Sequence, residues 1–190
     1  MNPNRESSPP GDLKRLLQAV SFAAEKHRLQ RRKDRDASPY INHPIALASL
    51  LTTVGGVDDV VVLQAALLHD TVEDTDTSYE ELTQHFGRRV ADVVMEVTDD
   101  KNLEKSRRKA LQIEHAPGAS VEAALVKLAD KICNLRDIVN APPDRWSVER
   151  RLEYFDWARQ VVDGLPRVNE ALLAAFNEVY AQRPVLAESA

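Results

Sequence analysis

The sequence lacks several features that define large classes of protein. It has one cysteine, Cys133, among 190 residues, which excludes an intramolecular disulfide framework. No apolar run approaches the roughly 20 residues that a helix needs to cross a bilayer. The start of the chain, MNPNRESSPPGD, has no apolar core of a signal peptide. These absences predict a soluble protein of a reducing, cytoplasmic setting.

The sequence also lacks an excess of positive charge. It has 25 Lys and Arg residues against 30 Asp and Glu residues, for a net charge of -5. Such a balance provides no general basic footprint for nucleic acid or an anionic membrane, and we expect neither as a partner. The one dense basic cluster lies between Arg28 and Tyr40, in RLQRRKDRDASPY. Any anionic ligand must therefore be held locally.

Apolar periodicity predicts helices along most of the chain, with no reliable strand, repeat or second-domain linker. A first helix is capped by Asp12 and a last helix starts at Pro166. The apolar face of the first helix comprises Leu13, Leu16, Leu17, Val20, Ala23, Ala24 and His27. We predict a flexible arm over residues 1–11, one domain over 12–183 and a tail over 184–190. The predicted architecture is an all-α, compact bundle of eight or nine helices.

Ionisable residues concentrate in the stretch 64–75, QAALLHDTVEDT. A helix that continues from Val60 loses its apolar character there and presents His69, Asp70, Glu73 and Asp74. At helical spacing these side chains form two neighbouring strips. A solvated surface helix could carry them as well, but the preceding run Ala65–Leu68 favours a buried helix whose polar end opens into a cavity. Buried carboxylates there need a cation or hydrogen-bond donors.

Two further residues complete a possible metal set. His43 lies at a helix start, beside Pro44, and Asp130 lies within an apolar helix. With His69 and Asp70 they offer two imidazoles and two carboxylates, which suit Mn²⁺, Fe²⁺ or Zn²⁺ better than a thiolate site or an all-oxygen Ca²⁺ site would. A metal with open positions lowers the pKa of water and polarises a phosphoryl oxygen. The pattern therefore favours hydrolysis of a phosphate ester.

Other polar residues near this set have more than one interpretation. Glu73 and Asp74 are placed to orient or deprotonate a water and to stabilise a leaving group, without a division of those roles, or else to steady the ligands and cap a helix. His27 is interpreted as a packed or capping histidine. The charged run Lys101–Lys109 is either a solvated face or a source of cations for the site.

Four stretches of the sequence closely resemble the hydrolase domain of RelA/SpoT-type alarmone enzymes. They are PYINHPIALASLL, AALLHDTVEDTDTSYEEL, HFGRRVADVVMEVTDDK and LVKLADKICNLRDI. The pattern H…HD…D is the signature of HD-domain phosphohydrolases, and the resemblance over roughly residues 20–180 is to the small stand-alone forms, including the animal SpoT homologues. The chain has no room for the synthetase domain of the long enzymes. It also reads Leu29-Gln30 where those enzymes commonly carry Gly-Gln.

The resemblance implies an all-α HD fold and a specific reaction. It implies Mn²⁺ on His43, His69, Asp70 and Asp130, and hydrolysis of the 3′-pyrophosphate of ppGpp or pppGpp, the alarmones of the stringent response, to GDP or GTP and pyrophosphate. Glu73 and Asp74 match the family's catalytic acidic pair. Residues that match nucleotide contacts are Arg32 and Lys33 on the guanine side, Asn134 near the sugar, and Tyr154.

Two other functions fit the same residues. The site could act on another nucleotide such as NADPH, as animal relatives are thought to do. A catalytically inactive nucleotide-binding sensor would have lost ligands or the acidic pair. All six of those residues are present, which favours an enzyme.

Overall fold

The structure, a computed structural model, describes residues 10–184. Over these residues it has nine α-helices of eight residues or more, one single helical turn, α4, and a short 3₁₀ turn at Ala116–Gly118. The helices are α1 (Pro10–Lys26), α2 (Asn42–Thr53), α3 (Val60–Leu68), α4 (Thr71–Asp74), α5 (Tyr79–Phe86), α6 (Arg88–Val97), α7 (Lys105–His115), α8 (Val121–Asn140), α9 (Val148–Gly164) and α10 (Glu170–Tyr180). The only strand-like pairing in this part is an isolated bridge between Arg31 and Pro39. The predicted all-α bundle is confirmed.

Helix α3 lies at the centre of the bundle. All its residues are buried, and it contacts α1, α2, α6 and α8. A helix that is apolar on every face is stable only inside such a ring of neighbours. Its start is set by Asp59, whose side chain accepts a 2.8 Å hydrogen bond from the backbone nitrogen of Val61. The other end of α3 therefore delivers its next residues to the middle of the molecule.

The continuous helix predicted through residues 64–75 is wrong, because the chain breaks at His69 and Asp70. Helix α3 ends at Leu68, and α4 is a separate turn that starts at Thr71. The Thr71 hydroxyl donates to the Leu68 carbonyl at 2.7 Å, and His69 Nδ1 donates to the carbonyl of Ala66 at 2.8 Å. Side chains that bond the preceding carbonyls compete with the regular helical ladder. The break turns His69 and Asp70 towards the same cavity.

The first helix differs from its prediction in two respects. It begins at Pro10, two residues before Asp12, and residues 1–9 of the predicted arm lie outside the described residues. Of its predicted apolar face, Leu13 and Leu17 are 65% and 56% exposed, whereas Ala23 and His27 are buried. Helix α1 packs against α3 and buries Ala19 and Ala23 completely, whereas the two leucines face solvent.

The end of the chain also differs from its prediction. Helix α10 begins at Glu170 and not at Pro166, because the Asn169 side chain caps it by accepting a 3.0 Å hydrogen bond from the backbone nitrogen of Leu172. Residues 185–190 of the predicted tail lie outside the described residues. The division into arm, single domain and tail stays a prediction. Within residues 10–184, every helix is too short or too polar to cross a membrane.

Candidate active site

An inner cavity of about 190 Å³ lies where the end of α3 meets α2 and α8. His43 reaches it from the first turn of α2, and Asp130 reaches it from the middle of α8. His69 and Asp70 enter from the break after α3. Three separate segments thus bring the four predicted metal ligands to one cavity, so the site is assembled by the tertiary fold.

Short distances link the four side chains into one connected set. His43 Nε2 is 3.2 Å from Asp130 Oδ1, which is also 3.9 Å from His69 Nε2. His69 Nε2 is in turn 2.9 Å from Asp70 Oδ2. Ligand atoms of His43, His69 and Asp130 all lie within 4.8 Å of one another, and Asp70 adjoins this trio through His69.

The chemistry of this set fits a divalent metal. The bond from His69 Nδ1 to the Ala66 carbonyl directs Nε2 into the cavity, an arrangement typical of metal-binding histidines. Buried His43 keeps Nδ1 without a hydrogen-bond partner among the described residues, while its Nε2 faces Asp130. Two imidazoles and two carboxylates around one small space are a suitable donor set for such an ion.

The electrostatics of the cavity favour positive charge. Burial lowers the pKa of His69, but the negative charge of Asp70 and its hydrogen bond outweigh burial and raise that pKa to about 9. Burial likewise opposes ionisation of Asp70, yet the adjacent His69 lowers the pKa of that carboxyl. The pKa of Asp130 is lowered against burial by Lys131 and His43. The carboxylates of Asp70 and Asp130 therefore stay ionised, and the negative charge that they place in the cavity attracts a cation.

The two acidic residues of α4 face different spaces. Glu73 lines the inner cavity, whereas Asp74 lines an outer one. Glu73 Oε2 accepts a 3.2 Å hydrogen bond from the backbone nitrogen of Asp99, and its Oε1 is 3.4 Å from Arg108. Burial, with the charges of Asp70 and Asp99, raises the pKa of Glu73 to about 7. Glu73 is thus able to gain or lose a proton near neutral pH.

Asp74 is held by donors on both of its oxygens. Gln30 Nε2 donates to Oδ2 at 2.7 Å, and Lys101 pairs with Oδ1. Asp74 is therefore fixed in orientation beside the outer cavity.

The outer cavity, of about 350 Å³, is lined by all four residues predicted to contact a nucleotide: Arg32, Lys33, Asn134 and Tyr154. The Arg32 guanidinium contacts Asn134 Oδ1 at 3.2 Å, pairs with Asp137 and lies 5.6 Å from the centre of the Tyr40 ring. Asn134 in turn donates a 2.6 Å hydrogen bond to Asp130. Arg32, Asn134 and Tyr154, together with Tyr40, line both cavities, which therefore adjoin.

Several residues at the site were not predicted from the sequence. Tyr40 donates its hydroxyl to Asp70, and burial together with the Asp70 charge raises the pKa of that hydroxyl, which stays protonated. Gln30 contacts Asp74 across 44 residues of sequence. The sequence could have indicated Tyr40 through its position in PYINHP, three residues before the predicted metal ligand His43.

The charged run Lys101–Lys109 is divided between the two interpretations. Lys101 and Arg108 reach the acidic pair of α4. Arg107 instead pairs with Glu114 on the exposed face of α7. Part of the run therefore supplies cations to the site and part is a solvated face.

Comparisons with known proteins agree with this geometry. The family model described as the HD domain matches residues 19–154. The human guanosine-3′,5′-bis(diphosphate) 3′-pyrophosphohydrolase MESH1 is 57% identical over 168 residues, which cover 88% of this chain and 94% of that protein. The Escherichia coli bifunctional (p)ppGpp synthase/hydrolase SpoT is 36% identical over 143 residues, 72% of this chain and 20% of SpoT.

A solved structure, described as a metazoan orthologue of SpoT that hydrolyses ppGpp, matches with a TM-score of 0.88 at 47% identity. The match covers 95% of this chain and 99% of that one. Because the family model spans most of the chain and the relatives match over nearly all of it, the chain belongs to the HD domain family of hydrolases, in the group of the MESH1 and SpoT enzymes.

Proposed function

We propose that the chain hydrolyses the 3′-pyrophosphate of ppGpp or pppGpp, giving GDP or GTP and pyrophosphate, with Mn²⁺ as its metal. The observation that carries this proposal is the pair of adjoining cavities, an inner one that fits a metal and an outer one with the size and side chains for a nucleotide. The names of the relatives, which are ppGpp 3′-pyrophosphohydrolases, support the same substrate.

The metal would be held by His43, His69, Asp70 and Asp130. Mixed imidazole and carboxylate donors suit Mn²⁺, and a metal of this kind activates water and polarises a phosphoryl oxygen. Tyr40 would keep Asp70 oriented through its hydroxyl, and Asn134 would do the same for Asp130 through its amide. The substrate 3′-pyrophosphate would then occupy the inner cavity.

The acidic pair divides its work according to where each residue faces. Glu73 lines the inner cavity and has a pKa near 7, which suits a general base that takes a proton from the attacking water. Arg108, beside Glu73, adds positive charge where the transferred phosphoryl group gathers negative charge. Asp74, fixed by two donors, lies at the boundary with the nucleotide pocket and would orient the ribose side of the reacting group.

The outer cavity would recognise the nucleoside. A planar guanidinium stacks on a base and also binds phosphate, so Arg32 is suited to the guanine. Lys33 is exposed on the same loop and would approach the base edge or the 5′-phosphates. Asn134 and Tyr154 line the boundary of the two cavities, where the sugar would lie.

The test is an assay of purified protein with Mn²⁺, offered ppGpp, pppGpp and NADPH side by side. We expect kcat/KM to be largest for a guanosine alarmone. A chelator should abolish hydrolysis. A larger kcat/KM for NADPH would mean that the same site acts on NADPH and not on an alarmone. Hydrolysis of none of the three, with nucleotide still bound, would favour a sensor.

A further inference from the structure

A chain of hydrogen bonds links a buried histidine outside both cavities to Asp74. His27, at the end of α1, is 2% exposed, and its Nδ1 lies 2.6 Å from Gln30 Oε1. The amide nitrogen of the same Gln30 lies 2.7 Å from Asp74 Oδ2. The backbone of Gln30 is also held, because its nitrogen donates to the His27 carbonyl and its carbonyl accepts from Tyr40.

The direction of these bonds follows from the carboxylate. An ionised Asp74 can only accept, so the NH₂ group of Gln30 must face it and the amide oxygen must face His27. His27 Nδ1 must then carry the proton that Gln30 accepts. His27 Nε2 is buried without a partner among the described residues, so the imidazole makes its hydrogen bond through Nδ1. The two bonds therefore run in one direction, from His27 through Gln30 to Asp74.

We propose that His27 and Gln30 are positioning residues that fix the orientation of Asp74, an inference that rests on the proposed role of Asp74 in alarmone hydrolysis. The other donor to Asp74 is Lys101, whose long side chain is 49% exposed. Gln30 is shorter, is anchored at both ends and is therefore the rigid contact. The ring of Tyr40 packs on His27, with centroids 4.8 Å apart, and holds the imidazole from its other side.

The isosteric variant Gln30→Glu tests the bond polarity without changing side-chain size. It replaces the donor facing Asp74 with a second carboxylate, so Asp74 must turn away. We expect kcat to fall roughly tenfold to a hundredfold, as for a small misplacement of a reacting group. KM should change less than about twofold because both polar atoms of the Gln30 amide are engaged by His27 and Asp74, although Gln30 lies in the wall of the outer cavity. Bound metal and helical circular dichroism should stay at the wild-type level.

Variants of His27 provide a rescue test. His27→Phe keeps a ring against Tyr40 but loses the donor, whereas His27→Asn keeps a donor near the position of Nδ1. We expect a fall in kcat of about threefold to tenfold for His27→Phe, partly recovered in His27→Asn. Leu29→Ala is the matched control, because Leu29 is 82% exposed in the same segment and should have wild-type kinetics.

A readout independent of turnover is the tautomer of His27, measured by ¹⁵N NMR of the imidazole in metal-free protein. We expect the Nδ1–H form in the wild type and its loss in Gln30→Leu. An Nε2–H form in the wild type, a wild-type kcat in Gln30→Glu, or a rise in KM alone would overturn the proposal, the last by making Gln30 a substrate contact. If the wild type hydrolysed no alarmone while His27 was the Nδ1–H form, the proposed function would fall and the hydrogen-bond chain would stand.

Discussion

The inner and outer cavities adjoin but are built in different ways. The inner cavity takes most of its lining from helices and their ends, namely the start of α2, the break after α3, α8 and α9, and its candidate ligands are paired with one another. The outer cavity is formed on one side by the loop after α1, where Arg31 and Lys33 are exposed. A space built from helices suits the positioning of reacting groups, whereas an exposed loop suits recognition. Variants of the first should therefore change turnover, and variants of the second should change binding.

The largest effect is expected from the ligands of the inner cavity. His43→Ala and Asp70→Ala should abolish bound metal together with activity. Each removes one donor from a four-residue set, and the buried charges that remain lose a partner. Metal analysis of purified variants by mass spectrometry, paired with turnover of ppGpp, checks this. A variant that kept stoichiometric metal would exclude the substituted residue from the ligand set.

A large but separable effect is expected from Glu73→Gln. The amide keeps the shape of the side chain but cannot take up a proton, so kcat should fall by a factor on the order of 10² or more while bound metal is retained. The same metal analysis and a steady-state assay give both quantities. Loss of metal in this variant would make Glu73 a metal ligand and not a catalyst.

A smaller effect, of a different kind, is expected in the outer cavity from Arg32→Ala. KM for ppGpp should rise about tenfold while kcat falls less, because Arg32 would contact the nucleoside, at a distance from the reacting phosphorus. Arg32→Lys is the matched variant: it keeps the charge but loses the planar face and should give an intermediate KM. An unchanged KM in Arg32→Ala would remove Arg32 from the nucleotide pocket.

The smallest effect is expected from Lys33→Ala. Its side chain is exposed, so its attraction for a phosphate is screened and KM should rise only about twofold to threefold. The rise should shrink as salt is added to the assay. Arg35→Ala, an exposed residue of the same loop that lines neither cavity, is the control. Equal effects from both variants would mean that the loop acts through its overall charge.

Local chemistry was sufficient to predict much of the fold. Asp59, Ser78 and Ser147 each cap a helix through a side-chain oxygen, as their residue types and positions indicate. The run of α3, apolar except at Gln64, predicts a buried helix because no single face could be exposed. These features depend on residues within one or two turns of each other, which is the range over which a sequence pattern acts.

Features that depend on tertiary contacts were not predictable in the same way. The break at His69 and Asp70 is an exception: its side-chain bonds reach only three residues back, but apolar periodicity does not detect such bonds. The exposure of Leu13 and Leu17 depends on which side of α1 faces the rest of the bundle, which helical spacing alone does not fix. Gln30 and Asp74 meet across 44 residues, so neither sequence neighbourhood indicates the contact.

The candidate site was predictable in its residue types but not in the placement of its side chains. The metal set and the acidic pair were predicted as residue types with suitable chemistry, and the structure brings the four candidate ligands to one cavity. The separation of Glu73 from Asp74 into different cavities follows from the fold alone. Their roles, and those of Arg32, Lys33, Asn134 and Tyr154, stay predictions until the variants are measured.

The central claim is that the inner cavity cleaves the 3′-pyrophosphate of a guanosine alarmone held in the outer one. The most direct measurement is the product balance when purified protein is incubated with Mn²⁺ and ppGpp and the products are separated by anion exchange. We predict GDP and pyrophosphate in equal amounts, and neither product from His43→Ala. Release of orthophosphate in place of pyrophosphate, or ppGpp left intact by the wild-type protein, would contradict this claim.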